Sequence, residues 1–158
     1  IPSVGPAPAD IMIVGEAPGS TEELVGQPFM GASGQELTKM LSEAFINRTC
    51  CFITYVCKYR PPNNDISKFF LNKTEAKKQN VSEIMGRYPA PQIREGLAEL
   101  EAEIQTVRPR VIIALGDTAL WALTGQSGIT KWRGSFLARG SIRVIPTYHP
   151  AGVLRTWE

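Results

Sequence analysis

Glu16 and His149 are the side chains whose positions in this sequence best suit electrostatic or proton chemistry. Glu16 directly follows the apolar run Ile11-Met12-Ile13-Val14-Gly15, and His149, the only histidine, stands in Pro146-Thr147-Tyr148-His149-Pro150. A carboxylate just past a buried strand can position water or offset positive charge; it can equally accept backbone N–H bonds. A histidine between a tyrosine and a proline at the end of a strand is poorly placed for a core, so a donor role at a site and a structural role both stay open. Phe29 lies in the apolar trio Pro28-Phe29-Met30, inside a segment that carries Gly15, Gly19, Gly26, Gly31 and Gly34. Repeated glycines let a backbone approach a ligand and offer N–H groups to an anion. An aromatic ring among them can present a flat face to a base, or can pack into the core. The segment lacks the lysine and hydroxyl of GxxxxGK[ST] and does not match GxGxxG, so neither nucleotide-binding motif is expected. Cys50, Cys51 and Cys57 fall within eight residues, an odd count without a second pair at zinc spacing. They are expected to be free, buried thiols.

These residues need elements to hold them. Ile11–Gly15 reads as a buried strand, followed by a glycine-rich loop from Glu16 to Ala32. Ser33-Gly34-Gln35-Glu36 reads as a capping box opening a helix, whose apolar face is Leu37, Met40, Leu41, Ala44 and Phe45. Cys51–Cys57 is rich in β-branched and aromatic residues and reads as a second strand, stopped by Arg60-Pro61-Pro62-Asn63-Asn64-Asp65. The polar stretch 66–88 has no firm periodicity. Pro91 opens the cleanest amphipathic helix, with Ile93, Leu97, Leu100, Ile104 and Val107 on one face. Val111–Leu115 is a third strand, Asp117 caps a short helix through Leu123, and Trp132–Ala138 with Ser141–Ile145 suggests a hairpin about Arg139-Gly140. Strands alternating with helices imply an α/β fold with a largely parallel sheet. Ligands of such sheets bind beyond the carboxyl ends of the strands, where Glu16, Lys58-Tyr59-Arg60, Gly116-Asp117 and His149 all fall.

The chain has 158 residues, 43% hydrophobic and 20% charged, which suits one globular domain over residues 1–158, in a chain that opens on Ile1 rather than Met. No signal segment or membrane span is expected, since no apolar run approaches the ~20 residues that cross a bilayer. The net charge of +2 hides a gradient: residues 1–47 carry −5, residues 48–105 carry +2 and residues 106–158 carry +5. Lys131, Arg133, Arg139, Arg143 and Arg155 make the last third basic and are expected around the histidine loop, a face suited to a phosphate backbone.

Four motifs occur in order: Gly15-Glu16-Ala17-Pro18-Gly19, Gly26-Gln27-Pro28-Phe29-Met30-Gly31, Ile53-Thr54-Tyr55-Val56-Cys57-Lys58 with Arg60-Pro61-Pro62, and His149-Pro150-Ala151 with Leu154-Arg155. Over nearly the whole chain they resemble the uracil-DNA glycosylase superfamily, most of all its fourth, iron–sulfur-containing family. The resemblance implies a three-layer α/β sandwich with a central, mainly parallel four-stranded sheet between helices. It also implies hydrolysis of the bond between deoxyribose and a flipped-out uracil or modified pyrimidine in DNA by a monofunctional glycosylase; a monomer in the cytoplasm, associated with the nucleoid and prokaryotic or phage-encoded, is expected. In this likeness Glu16 and His149 are catalytic, and Ala17, Phe29 and Tyr55 border the base. Arg60, Lys131, Arg133, Gly152, Leu154 and Arg155 meet DNA, with Leu154 as a wedge.

Two departures stand out. Tyr55 occupies a position where the family has an asparagine, whose amide reads a pyrimidine with one donor and one acceptor; a phenol offers a single oxygen. Tyr59 replaces a cysteine ligand, and the upstream cysteine pair is missing. No iron–sulfur cluster, other metal or cofactor is therefore expected. A catalytically inactive DNA-binding module of a larger replication or repair protein is the alternative reading.

Overall fold

The computed structural model describes residues 1–150. In chain order the elements are β1 (Ile11–Gly15), α1 (Ser20–Val25), α2 (Ala32–Glu43), β2 (Phe52–Tyr55), β3 (Phe70–Leu71), α3 (Lys73–Gln79) and β4 (Tyr88–Pro89). They continue with α4 (Pro91–Val107), β5 (Val111–Leu115), α5 (Asp117–Thr124), α6 (Ile129–Trp132), β6 (Leu137–Arg139) and β7 (Ile142–Thr147). One sheet has the order β2-β1-β5-β7-β6; all its pairs are parallel except β6 with β7. The short β3–β4 pair forms a separate antiparallel ribbon within the stretch that has no clear periodicity.

Alternation along the strands builds the layers. Met12 and Val14 of β1, with Ile112 and Ala114 of β5, face one core, shared with Ile93, Leu100, Ile104 and Val107 of α4 and Trp121 of α5. Ile13, Ile53, Tyr55 and Leu115 face the other, shared with Phe29 and with Leu37 and Leu41 of α2. The sheet is thus sandwiched between helices, and α4 buries the face that its 3.6-residue periodicity marks out. Polar bonds reinforce the α4 side. Lys58 Nζ sits 2.9 Å from Glu103 Oε1, which also accepts from Thr54 Oγ1 at 2.8 Å.

Several local expectations are corrected. The sheet has five strands rather than four, because the chain after α6 folds back through the two-residue Gly140-Ser141 loop as an antiparallel edge. That edge is only Leu137–Arg139; Trp132 ends a helical turn instead. Residues 16–32 are not all loop, since α1 forms there, and its Glu22 carboxylate accepts from the N–H of the N-cap Gly19 at 3.3 Å. The next helix is capped by Gly31, not by Ser33, and it ends at Glu43, leaving Phe45 at 99% exposure with φ +60°. Gly116 rather than Asp117 is the N-cap of α5, and the Asp117 carboxylate instead accepts from Gly128 N and pairs with Arg87. Cys51 and Cys57 are buried, but Cys50 lies exposed in a 3-10 turn ahead of β2.

The helix–sheet contact is tightest at Gly96, where a β-carbon would lie 1.9 Å from the Val56 carbonyl oxygen. Backbone cannot yield there as a flexible side chain would. Gly96→Ala is therefore expected to destabilise the fold by about 1–3 kcal/mol or more, read as a lowered midpoint in urea unfolding. An unchanged midpoint would show that α4 and β2 separate without cost.

Candidate active site

The connections on either side of β1 diverge: β2 lies to one side of it, β5 and β7 to the other. Chain segments leaving the carboxyl ends of β1 and β5 part there, and the crevice between them is where open α/β sheets bind ligands. A cleft of about 320 Å³ occupies that place. Glu16 and Ala17 enter it from β1, Gly116 and Asp117 from β5, His149 from β7, and Pro61 and Asn64 from the loop after β2. Its size is at the small end of the roughly 300–1,000 Å³ of small-molecule sites.

Glu16 is held by a contact that no local motif announces. Thr118, buried in the first turn of α5, donates from Oγ1 to Glu16 Oε1 at 2.8 Å across 102 residues of sequence. His149 lies against the backbone of Gly116, where a β-carbon would stand 3.3 Å from His149 Cβ. Its ring centroid is 5.9 Å from that of Phe29, tilted by 32°.

Phe29 and Tyr55 form the inner wall behind this cleft and do not line it. Each is only 2% exposed. Their rings stack with centroids 5.0 Å apart and planes 29° apart, and Phe29 N donates to Tyr55 Oη at 2.9 Å. Phe29 has φ +53°, a left-handed conformation costing of order 1–3 kcal/mol for a bulky residue unless its surroundings hold it. Arg48 does much of that holding: Nη2 donates to the carbonyls of Pro28 and Phe29, both at 2.8 Å, and Nη1 to that of Gly34 at 3.1 Å. The chain folds back so closely that a β-carbon on Gly34 would lie 1.8 Å from Phe29 O. Burial holds the Tyr55 phenol well above its ordinary pKa. The Phe29 N–H opposes that shift, Glu22 adds to it, and Arg48 works against it. Burial likewise lowers the pKa of Arg48.

The basic residues divide. Arg133 lies over the Tyr148 ring at 4.7 Å, beside the histidine loop, and Lys131 lies over the ring of its chain neighbour Trp132 at 5.1 Å. Arg60 does not line the cleft: it pairs with Glu23 at 3.1 Å and donates to Asn64, which does line it. Arg139 and Arg143 do not surround the histidine: Arg143 pairs in register with Val111 at the start of β5, the opposite end of the sheet, and Arg139 is bonded to Glu101. Gly152, Leu154 and Arg155 lie outside the described residues.

A family model described as the uracil DNA glycosylase superfamily matches residues 2–158. The chain belongs to the uracil-DNA glycosylase superfamily. It is 38% identical over 149 residues to a Type-4 uracil-DNA glycosylase of Thermotoga maritima, covering 92% of this chain and 66% of that protein. To the Type-4 enzyme of Archaeoglobus fulgidus it is 34% identical over 164 residues, covering 98% and 71%. The chain thus spans about two thirds of the length of these relatives. It also matches a DNA polymerase of Bacillus phage SP01, 29% identical over 153 residues, or 96% of this chain and 14% of the polymerase.

The donor set of this superfamily member does not fit an iron–sulfur cluster. Tyr59 is half-exposed and hydrogen-bonded to Glu95, Cys57 is buried against the Tyr59 carbonyl, and Cys50 is exposed. Among the described residues no three His, Cys, Asp or Glu side chains converge to hold a metal.

The buried phenol sets a pH dependence. Above the ordinary tyrosine pKa of about 10, the unfolded chain ionises Tyr55 while the folded chain keeps it protonated. Folded stability therefore falls as pH rises past that point. Tyr55→Phe is expected to lose about 1–3 kcal/mol at neutral pH, because the buried Phe29 N–H is left unpaired, and to show a shallower alkaline decline. Urea unfolding at pH 7 and pH 10.5 measures both; equal slopes in the two proteins would contradict the burial of the hydroxyl.

Proposed function

We propose that this chain hydrolyses the N-glycosidic bond of a flipped-out uracil or modified pyrimidine in DNA, leaving an abasic site and an uncut strand. The observation that carries the reading is that Glu16 and His149 line one cleft at the divergence of the sheet. As the C1′–N1 bond breaks, its electron pair moves onto the base and positive charge grows on the sugar. An imidazole N–H from His149 aimed at the pyrimidine O2 stabilises the departing anion without giving up its proton. The Glu16 carboxylate, steadied by Thr118, offsets the sugar cation and orients the water that adds to C1′; the proton this water loses passes to solvent, and the departed base anion takes one up from solvent. Ala17 supplies only a methyl group where a strong base could stand. A dissociative reaction tolerates this, because a developing cation accepts a weak nucleophile.

Phosphate contacts are assigned to Lys131 and to Arg133, which lies beside the histidine loop, with Arg60 contributing after release from Glu23. The active unit is proposed to be a monomer that needs no metal. The similarity to Type-4 uracil-DNA glycosylases supports the chemistry. Two observations favour a second reading, a non-catalytic DNA-binding module of a larger replication or repair protein: Phe29 offers no open face, and part of a phage DNA polymerase is similar over nearly the whole chain.

Incubation with oligonucleotides carrying uracil or modified pyrimidines, single- and double-stranded, followed by alkali, separates the two. Base release with about a 100- to 1,000-fold loss on His149→Ala is expected, together with a marked loss on Glu16→Gln. DNA binding should weaken steeply with salt and survive both substitutions. Salt-sensitive binding with no abasic product from any base would instead establish the non-catalytic module.

A further inference from the structure

Tyr55 makes, from within the chain, the contacts a bound pyrimidine would make. Its six-membered ring stacks on Phe29 at 5.0 Å, and its oxygen accepts the Phe29 N–H at 2.9 Å, as a pyrimidine carbonyl oxygen would. Gly15 packs directly against both rings. A β-carbon on Gly15 would lie 2.5 Å from Phe29 Cζ and 3.1 Å from Tyr55 Cδ1. Phe29 is 2% exposed and does not line the cleft shared by Glu16 and His149, so a base entering that cleft does not reach the Phe29 ring face. The backbone around Phe29 is itself held in an unfavourable left-handed conformation by Arg48 and Tyr55, which keeps the ring pair in place.

We propose that Tyr55 is a specificity-determining residue that fills the innermost base slot with its own ring. The inference rests on the glycosylase reading and narrows it. A pyrimidine meets this chain at the shallower level of Glu16, Gly116 and His149, without stacking on Phe29. No side-chain amide is present at position 55 to tell a uracil N3–H and O4 from the reversed donor and acceptor of cytosine. The unaltered chain should therefore discriminate poorly between the two bases. Shortening Tyr55 opens the slot, and an amide in its place supplies the missing donor and acceptor.

The test is equilibrium binding, by fluorescence anisotropy, to duplexes carrying a single 2′-fluoro-deoxyuridine or 2′-fluoro-deoxycytidine, whose glycosidic bonds resist cleavage. The unaltered protein and Tyr55→Phe, which keeps the ring, are expected to bind the two duplexes alike. Tyr55→Asn should prefer uracil by about 10–100-fold, the worth of one or two hydrogen bonds. Tyr55→Ala should bind both more tightly than the unaltered protein and prefer neither. Cooperative thermal unfolding qualifies each variant, and if Tyr55→Asn does not fold, Tyr55→Ala decides alone. The proposal is overturned if the unaltered protein already prefers uracil by that margin, or if folded Tyr55→Asn and Tyr55→Ala bind as it does. A uracil preference gained by Tyr55→Asn without base release from any protein would keep the filled slot and reject the glycosylase reading. Uracil preference and release by the unaltered protein would do the reverse.

Discussion

The divergence of the chain on either side of β1 is the constraint from which the site follows. A parallel strand cannot be reached by a tight turn, so each crossover needs a long connection, and here successive connections carry the chain to opposite sides of the first strand. Where they part, the carboxyl ends of β1 and β5 leave a gap that no crossover covers. Glu16 stands there because it is the first residue after β1, and Gly116 because it is the first after β5. His149 is carried in from the next strand along. The cleft is thus a product of topology before it is one of side-chain chemistry.

Long-range hydrogen bonds then give this gap fixed walls. Thr118 reaches the Glu16 carboxylate from α5, and Arg48 gathers three carbonyls of the Phe29 and Gly34 turn beneath one guanidinium. An arginine suits this task because its planar fork donates in several fixed directions at once. Burial lowers the pKa of that guanidinium, so its desolvation opposes part of what its hydrogen bonds gain. The wall it supports is nevertheless built from two aromatic rings and a backbone N–H already satisfied, a finished surface rather than an open receptor.

Charge shows how a correct local reading can misplace its residues. The basic character of the last third is plain from composition, and Arg133 lies beside the histidine loop through its contact with Tyr148. Arg143 is carried to the opposite end of the sheet, because it begins the strand whose far end leads to His149. Position along a strand of six residues separates the two by most of the sheet's height. Arg139 is bonded to Glu101, a pairing that only the packing of α4 near the hairpin creates. Phosphate contact therefore falls to fewer residues than the charge gradient suggests.

Periodicity and residue type were enough, by themselves, to locate β1, the α4 face, β5 and the hairpin, because these elements are specified by local alternation and apolar spacing. The same reading brought Glu16 and His149 to one edge, since a strand end is visible wherever an apolar run stops. The family likeness lay in motifs whose order survives in a linear text. Tertiary structure alone decided that the hairpin joins the sheet as its fifth strand and that α2 starts from Gly31. It also decided that Thr118 and Arg48 serve the site. The side-chain hydrogen bonds concerned join positions 14 to 102 residues apart, with no spacing rule to reveal them. Most of all, it settled how Phe29 and Tyr55 stand. Sequence named both as base contacts, whereas packing turned each ring toward the other, because a buried N–H and a buried hydroxyl at that depth must satisfy one another.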